Sequence, residues 1–423
     1  MIWYGRGSRD DEITPQEVRE ALCGVFDRLG DRKRVLALPP DFTRANSFAG
    51  PIARMAYDYY GPRLTDVMPA LGTHAPMTEP QIAAMFEGVP ASLFRVHDWR
   101  RDVVTVGEVP ASYVNEVSEG RVNYSWPAQV NRLLLDPSFD LILSIGQVVP
   151  HEVIGMANYT KNIFVGAGGA EGINKSHFLG AAYGMERIMG RAASPVRAVM
   201  EYARKEFIAG LPIVYILTVL EKVEGRMVLR GLFVGDDCEC FRKASELSLQ
   251  VNFIMVDKPV RKCIVWLDED EFKSTWLGNK AVYRTRMALA DGAELLIAAP
   301  GLKTFGEDAE IDRLIRKYGY KGTPYVLDAT EKNEDLQANL SASAHLIHGS
   351  SEGRFDIVYA PGDKMSEADI EGVGYRYMPL DALMEKYPAA SLKDGWNTVD
   401  GEEIYFISNP ALGLWAHPDR FND

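Results

Sequence analysis

The chain has 423 residues, 47% of them hydrophobic and 25% charged, with a formal net charge of -13. That length exceeds one ordinary hydrophobic core and implies two domains or one large domain with a satellite, and the composition excludes a disordered or fibrous chain. The acidic balance argues against nucleic acid or an anionic membrane as the main partner, and no apolar run reaches the roughly 18 residues of a membrane span.

Four scattered cysteines, Cys23, Cys238, Cys240 and Cys263, read as free thiols in a reducing compartment, so the expected location is cytoplasmic.

Taken in chain order, TPQEVREALCGVFDRLG is an amphipathic helix capped by Thr14, RVLALPP a short buried strand, and FAGPIARMAYDYYG a second amphipathic helix. DVMPALG then reads as a strand and TEPQIAAMFEG as a helix, with Thr78 at the N-cap and Pro80 in the first turn. Further on, SWPAQVNRLLLD reads as a helix, FDLILSIGQVV as a strand, KNIFVGAGG as a strand and turn, and SPVRAVMEYARKEF as a helix. The alternation breaks at PIVYILTVLEKVEGRMVLRGLFVGD, which predicts an antiparallel hairpin turning at Glu224 and Gly225.

From about residue 258 the alternation resumes with the strand CIVWLDED, the single helix STWLGNKAVYRTRMALADG, the strand ELLIAAP and the helix EDAEIDRLIRKYG. The expected fold class is α/β: two α/β domains, 1–257 and 258–423, with mainly parallel sheets, an inserted antiparallel hairpin and an active site in the cleft between them. The last ~20 residues are expected to pack back on the first domain.

In parallel α/β sheets ligands bind where strands end, so the loops that follow strands are the first places to look. Loop 39–46, PPDFTRAN, offers Asp41, Thr43 and Arg44: an acid, a hydroxyl and a fixed cation, readable as a helix cap or as an anion site. Loop 70–80, ALGTHAPMTEP, carries His74 after a glycine turn. The third segment, HEVIGMANYTKNIFVGAGGAEGINKSHF, sets His151, Lys161 and His177 around a glycine loop.

That loop does not satisfy G-x-G-x-x-G, since Glu171 stands at the final position, but Gly166, Gly168, Gly169 and Gly172 permit turns that cradle a phosphate. No H-x-x-x-H or H-E-x-x-H spacing occurs, so a metal held wholly by side chains of this chain is poorly supported. In the second domain Trp276, Lys280 and Arg284 fall at four-residue steps on one helix face, either as solvated charges or as a clamp for a carboxylate. His97, His345, His348 and His417 read as structural.

D-F-T-R at 41–44, G-T-H-A-P-M-T at 72–78, and the run from His151 through Lys161 to His177 with intervals of ten and sixteen residues together resemble the nickel-dependent lactate racemase family of 2-hydroxyacid racemases and epimerases. The resemblance spans nearly the whole chain. It implies a nickel-pincer nucleotide tethered to Lys161, nickel ligation by His177, and His74 and His151 as two catalytic bases. It further implies cofactor contacts from Asp41, Thr43, Arg44, Gly168 and Gly169, and substrate contacts from Lys280 and Trp276.

Cofactor-maturation enzymes would be transient partners, and a homo-oligomer is compatible with the sequence. The chain departs from the family pattern at Ala45, where proline is usual, at Ala75, where arginine is frequent, and at Asn158, Tyr159 and Thr160, in place of Gly-Gly-Arg. Smaller side chains in the first two loops suggest a substrate larger than lactate, such as a sugar acid. Two other readings are a zinc-dependent or metal-independent lyase using His and Lys chemistry, and a non-catalytic hydroxyacid-binding protein.

Overall fold

Thr14 caps the first helix through a reciprocal box: its hydroxyl accepts the Glu17 N–H while the Glu17 carboxylate accepts the Thr14 N–H. Local signals of this kind set much of the chain in the computed structural model, which describes residues 1–223 and 225–421. A Thr14→Ala variant should lose about 1 kcal/mol of stability, read as a lower urea midpoint at unchanged slope.

The elements of the first half are β1 (Ile2–Gly7), α1 (Pro15–Leu29), β2 (Val35–Leu38), α2 (Ala49–Tyr60), β3 (Leu64–Val67), α3 (Glu79–Met85), β4 (Val103–Val109), α4 (Ala111–Val117), β5 (Trp126–Asn131) and β6 (Leu141–Gln147). They continue with β7 (Pro150–His151), β8 (Gly155–Met156), α5 (Ala170–Tyr183), α6 (Met185–Ile188), α7 (Pro195–Phe207), β9 (Ile213–Val223), β10 (Arg226–Gly235) and α8 (Cys238–Asn252). The second half adds β11 (Ile254–Met255), β12 (Val260–Trp266), α9 (Thr275–Gly278), α10 (Lys280–Thr285), β13 (Leu289–Ala299), α11 (Ala309–Tyr318), α12 (Thr323–Lys332), α13 (Glu334–Ala338) and α14 (Leu340–His348). It closes with β14 (Phe355–Pro361), α15 (Glu367–Gly372), β15 (Arg376–Tyr377), α16 (Leu380–Lys386), β16 (Gly395–Val399), β17 (Glu402–Ile407) and β18 (Trp415–Ala416).

Two compact units result: residues 1–176 with 188–252, and residues 177–187 with 253–423. The division is therefore not a single cut near 257, because the segment carrying His177 groups with the second unit.

The first unit is built on a six-stranded sheet in the order β1-β10-β9-β6-β2-β3. Its β3, β2, β6 and β9 are parallel, while β9-β10 and β10-β1 are antiparallel. Strands covered on both faces need apolar residues at every position, which is why VLAL is buried throughout and LILSIG nearly reads as one apolar run. Ala37, Leu143, Ile145, Val214 and Ile216 pack with Val18, Leu22 and Phe26 of α1 and Ile52, Ala53 and Ala56 of α2.

The second unit carries a sheet ordered β15-β14-β13-β12-β17-β16, parallel except for the β16-β17 edge. No helix among the described residues is long and apolar enough to cross a membrane.

The antiparallel hairpin stands as expected: β9 and β10 pair from Val223 with Arg226 to Tyr215 with Gly235. Gly225 has a positive φ of 84°, while Glu224, the other turn residue, lies outside the described residues.

Three local expectations fail. SWPAQVN is strand β5, paired antiparallel to β4, followed by a short 3-10 turn over Arg132–Leu135; its partner residues lie 17 to 28 positions upstream, from Val109 opposite Trp126 to Val103 opposite Asn131, beyond the reach of a periodicity argument. KNIFVG is helical, with a π-type turn over Asn162–Gly166 rather than a strand; Asn162 to Val165 are all buried, a demand that a strand and a buried helical turn satisfy equally.

The run from Ser274 is not one helix. It breaks at Asn279 into α9 and α10, and its last residues enter β13. Asn279 is buried, and its side-chain oxygen accepts the hydroxyls of Tyr359 at 2.8 Å and Tyr375 at 3.1 Å. Strand β1 was also not anticipated, because its IWYGRG run is short and ends in Gly-Arg-Gly.

Candidate functional site

Strands β2, β3 and β6 end side by side, and three loops leave from those ends. The second loop is tied to the first by the Ala70 N–H donating to Pro39 O at 2.7 Å, and to the third by the Gly72 N–H donating to Gly166 O at 2.8 Å. Gly72 takes a φ of +60°, a left-handed turn that lets the loop settle on residues 165–166. The buried Asn162 amide donates to Leu38 O and to Ser144 Oγ, both at 3.0 Å, pinning the turn after Lys161 to β2 and β6.

These ties place His74 beside Asp41. The His74 Nδ1 lies 2.7 Å from Asp41 Oδ2, and the Thr43 hydroxyl donates to Asp41 Oδ1. Asp41 is 5% exposed, whereas the His74 side chain is 59% exposed. Burial pushes the Asp41 pKa up, but the hydrogen bonds from His74 and Thr43 outweigh it and hold the carboxyl below its ordinary range. An ionised carboxylate only accepts, so Nδ1 of His74 carries the proton and Nε2 is the nitrogen turned to other work. Asp41 thus has its two oxygens taken by His74 and Thr43, a partnership across 33 residues that the loop sequences do not announce.

His151 sits on the short β7-β8 hairpin, paired with Gly155, and is 9% exposed. Its Nδ1 accepts the Val153 N–H at 3.1 Å and lies 3.9 Å from Glu152 Oε2.

Lys161 follows two successive residues in left-handed backbone, Asn158 at φ 68° and Tyr159 at φ 59°. Such positions cost about 1–3 kcal/mol each for non-glycine residues and persist only when the surroundings hold them. Arg197 of α7 does so: it donates to Met156 O at 2.7 Å, Asn158 O at 3.1 Å and Thr160 Oγ1 at 2.6 Å. The Tyr159 ring adds an anchor, stacked on Phe241 at 5.1 Å and edge-on to Tyr215 at 4.4 Å.

The Lys161 side chain keeps some exposed surface, yet its ammonium is surrounded by protein. Desolvation, with the guanidinium groups of Arg44 and Arg197, pushes its pKa down to about 8, against the opposing pull of Glu152 and Asp41. A lysine with so depressed a pKa has a far larger neutral, nucleophilic fraction near physiological pH than an ordinary lysine. Acylation of Lys161 by an activated ester, followed by peptide mass analysis, should therefore rise with pH about a midpoint near 8 rather than near 10.5.

Gly168 and Gly169 owe their identity to close packing. A Cβ on Gly168 would lie 1.9 Å from Phe164 O, and one on Gly169 would lie 2.4 Å from Gln129 Oε1. Neither has a positive φ. The buried His97 donates from Nε2 to Gly168 O at 3.0 Å while its Nδ1 accepts from Asn131 at 2.9 Å. Burial lowers the His97 pKa, in keeping with a neutral structural ring. The residues that sequence reading missed, Arg197, Asn162 and Val153, act through buried side-chain or backbone contacts that leave no local signature.

His177 lies half-buried in the middle of α5, within the second unit. In that unit Trp276 stacks on His345 at 4.4 Å and 29°, and Lys280 opens α10 with its ammonium 5.5 Å from the Phe272 ring. Arg284 donates to Ala411 O at 2.9 Å. Burial, with His348 nearby, holds the His345 pKa at about 3, and its Nε2 meets the Tyr320 hydroxyl at 2.9 Å, so this ring is structural. No group of three or more His, Cys, Asp or Glu among the described residues is placed to hold a metal ion.

The fold and loop cluster define a two-unit α/β protein with a histidine–aspartate pair and a low-pKa lysine at the strand ends. Two solved structures share this fold. A crystal structure of a protein from Thermotoga maritima superposes with a TM-score of 0.78 at 24% identity, covering 97% of this chain and 100% of that one. The lactate racemase apoprotein from Thermoanaerobacterium thermosaccharolyticum superposes with a TM-score of 0.70 at 15% identity, covering 96% and 93%. At these identities the likeness is one of fold. No family model and no curated protein matches the chain.

Proposed function

We propose that the protein is a racemase or epimerase of a 2-hydroxyacid that carries a nickel-pincer nucleotide on Lys161. The observation that carries the reading is the desolvated Lys161 amine set in the same loop cluster as the Asp41–His74 pair. The residues fit such a group at one point in particular: covalent attachment requires the deprotonated amine, which the depressed pKa of Lys161 makes accessible, and the exposed Arg44 has no ion pair among the described residues, which leaves a cation for the nucleotide phosphate. The fold shared with a lactate racemase supports the reaction class.

The chemistry explains the choice of residues. A 2-hydroxyacid resists loss of its Cα proton, because the neighbouring carboxylate already carries negative charge. When bound, the nucleotide would supply an acceptor that takes the Cα hydrogen as hydride and returns it to the opposite face of the transient 2-oxoacid. The chain itself handles the hydroxyl proton. His74 takes it on Nε2, with Asp41 holding the ring at Nδ1–H, and His151 serves the oxygen of the opposite stereoisomer. His177 would hold the nickel, and Lys280 and Trp276 would serve the substrate carboxylate and chain. Ala45 and Ala75 leave room in the first two loops, which favours a substrate larger than lactate, such as a sugar acid. On this reading the protein works in the cytoplasm and meets its cofactor-building enzymes there.

The low pKa of Lys161 also favours a second reading, a lyase that forms a Schiff base with a carbonyl substrate. One set of measurements separates the two. Cofactor-loaded protein given single stereoisomers of 2-hydroxyacids should convert one of them to a mixture, with nickel bound and a mass addition on Lys161, and His74→Ala or His151→Ala should abolish the exchange. Full activity with an unmodified Lys161 that borohydride traps on substrate would establish the lyase instead.

A further inference from the structure

The amino-terminal edge of the first unit's sheet holds a cavity of about 320 Å³, at the opposite end of the strands from the loops that carry His74 and Lys161. β6 and β9 run parallel and begin there, at Leu141 and Ile213, and the walls include Trp3 of β1, Arg32 after α1, Arg204 of α7 and Tyr215 of β9. That volume lies at the small end of ligand pockets, which run from roughly 300 to 1,000 Å³, and it is many times what a single buried water needs.

Three of the wall residues bury a polar atom that has no hydrogen-bond partner: Trp3 Nε1, Arg32 Nε and the Tyr215 hydroxyl. Tyr215 is 1% exposed, beyond the reach of bulk solvent, and burial raises its pKa, which keeps on the hydroxyl the proton it has to donate. Arg32 donates from Nη1 to Asp140 O at 3.0 Å, and Arg204 donates from Nε to Glu201 Oε2 at 3.2 Å. The two acids of the wall are already engaged. Asp140 accepts the Lys33 N–H at 2.8 Å and the Arg34 N–H at 3.0 Å, and Asp236 is paired with the Met1 amine. Buried donors without acceptors are rare because each weakens the fold that contains it. Here they share one cavity, and what that cavity lacks is an acceptor.

We propose that this cavity binds a compact oxyanion, a carboxylate or phosphate group, between Arg32 and Arg204, with the Trp3 indole and the Tyr215 hydroxyl as neutral donors. A metal cation would find only engaged carboxylates in the wall. An uncharged polyol would accept the hydrogen bonds but leave Arg32, which has no ion pair among the described residues, without a counter-charge. The occupant would lie at the other end of α7 from the Lys161 turn: Arg197 holds that turn from the start of the helix, and Arg204 follows about two turns later. The Tyr215 ring also meets Tyr159 edge-on at 4.4 Å, so the anion would rest on the supports of Lys161 without entering the loops assigned to the substrate. Such a site stands whatever reaction the opposite edge of the sheet performs.

The test is calorimetric titration of the full chain, in an amine buffer free of oxyanions, with succinate, with inorganic phosphate and, as the uncharged control, with succinamide. One-to-one binding of succinate or phosphate with a Kd of about 1 mM or tighter is expected, with succinamide silent. The tighter of the two ions tells an organic acid from a phosphate. Tyr215→Phe, which removes a hydroxyl that has no partner, should weaken binding by roughly two- to tenfold at an unchanged melting temperature, and Arg204→Gln by roughly ten- to a hundredfold. The Trp3 indole N–H resonance, assigned with Trp3→Phe, should shift as the site fills. No saturable binding of either ion, or equal binding of succinamide, overturns the proposal. So does binding that leaves the Trp3 resonance and the Tyr215→Phe affinity unchanged, the outcome expected if the ion instead met Arg44. Should Arg204→Gln fail to fold, Tyr215→Phe and the Trp3 resonance still decide.

Discussion

Lys161→Met is expected to abolish stereochemical exchange while making the folded protein more stable. On the proposed reading the amine is the attachment point, so its loss removes the reactive unit and lowers turnover by at least about 10⁴-fold, the scale seen when an essential member of a catalytic unit is deleted. Lys161→Arg should be as inactive, since a guanidinium remains charged and is no nucleophile at neutral pH. The stability change follows from the same depressed pKa. The folded-state value near 8 lies below the ordinary 10.5, so the unfolded chain binds this proton more readily.

The cost to the fold is complete below pH 8 and shrinks as pH rises from 8 towards 10.5. Removing the charge should raise stability at pH 7 by roughly 1–3 kcal/mol, discounted from the full shift for the surface that Lys161 keeps exposed. Thermal melts of parent and variant from pH 7 to 10.5 check this: the gap should close with rising pH. A variant that is less stable at pH 7, or that retains exchange, contradicts the assignment.

Asp41→Asn should lower turnover by about 10²–10⁴-fold with little change in the melting temperature. The substitution keeps the shape but replaces an acceptor-only carboxylate with an amide whose NH₂ group can face Nδ1, which stabilises the wrong His74 tautomer; in a serine-protease triad the equivalent exchange costs about 10⁴ in kcat. Thr43→Val, which removes one hydroxyl from the far oxygen of Asp41, should cost far less, roughly three- to tenfold. Steady-state rates of exchange for the three proteins, with circular dichroism to establish folding, provide the measurement. Near-parental turnover in Asp41→Asn would remove Asp41 from the site.

Much of the framework was legible in the sequence because the deciding physics is local. The caps at Thr14 and Thr78 are reciprocal bonds within four residues. The runs VLAL and LILSIG are apolar because parallel strands are covered on both faces, and the β9-β10 hairpin joins neighbours in the chain. The loops after β2, β3 and β6 were identifiable as candidates for the same reason: strand ends in an α/β sheet are where loops gather.

What the linear reading misjudged depends on partners distant in sequence. Residues 126–131 form a strand because residues 103–109 pair with them, and residues 160–166 coil because Leu38 and Ser144 hold Asn162. The run 275–285 breaks because Asn279 is claimed by two buried tyrosines.

The same boundary runs through the candidate site. The sequence by itself determined the residue types and their spacing: an acid, a hydroxyl and a cation in one loop, a histidine in the next, and a lysine between two histidines in the third. Only the tertiary structure decided what each is wired to. It gave Asp41 to His74, put Arg197 under the turn that presents Lys161, and set a backbone donor against His151. The physical reason is that protonation state, tautomer and nucleophilicity are set by desolvation and by hydrogen bonds made within a few ångströms in space, and those neighbours come from chain positions tens of residues apart.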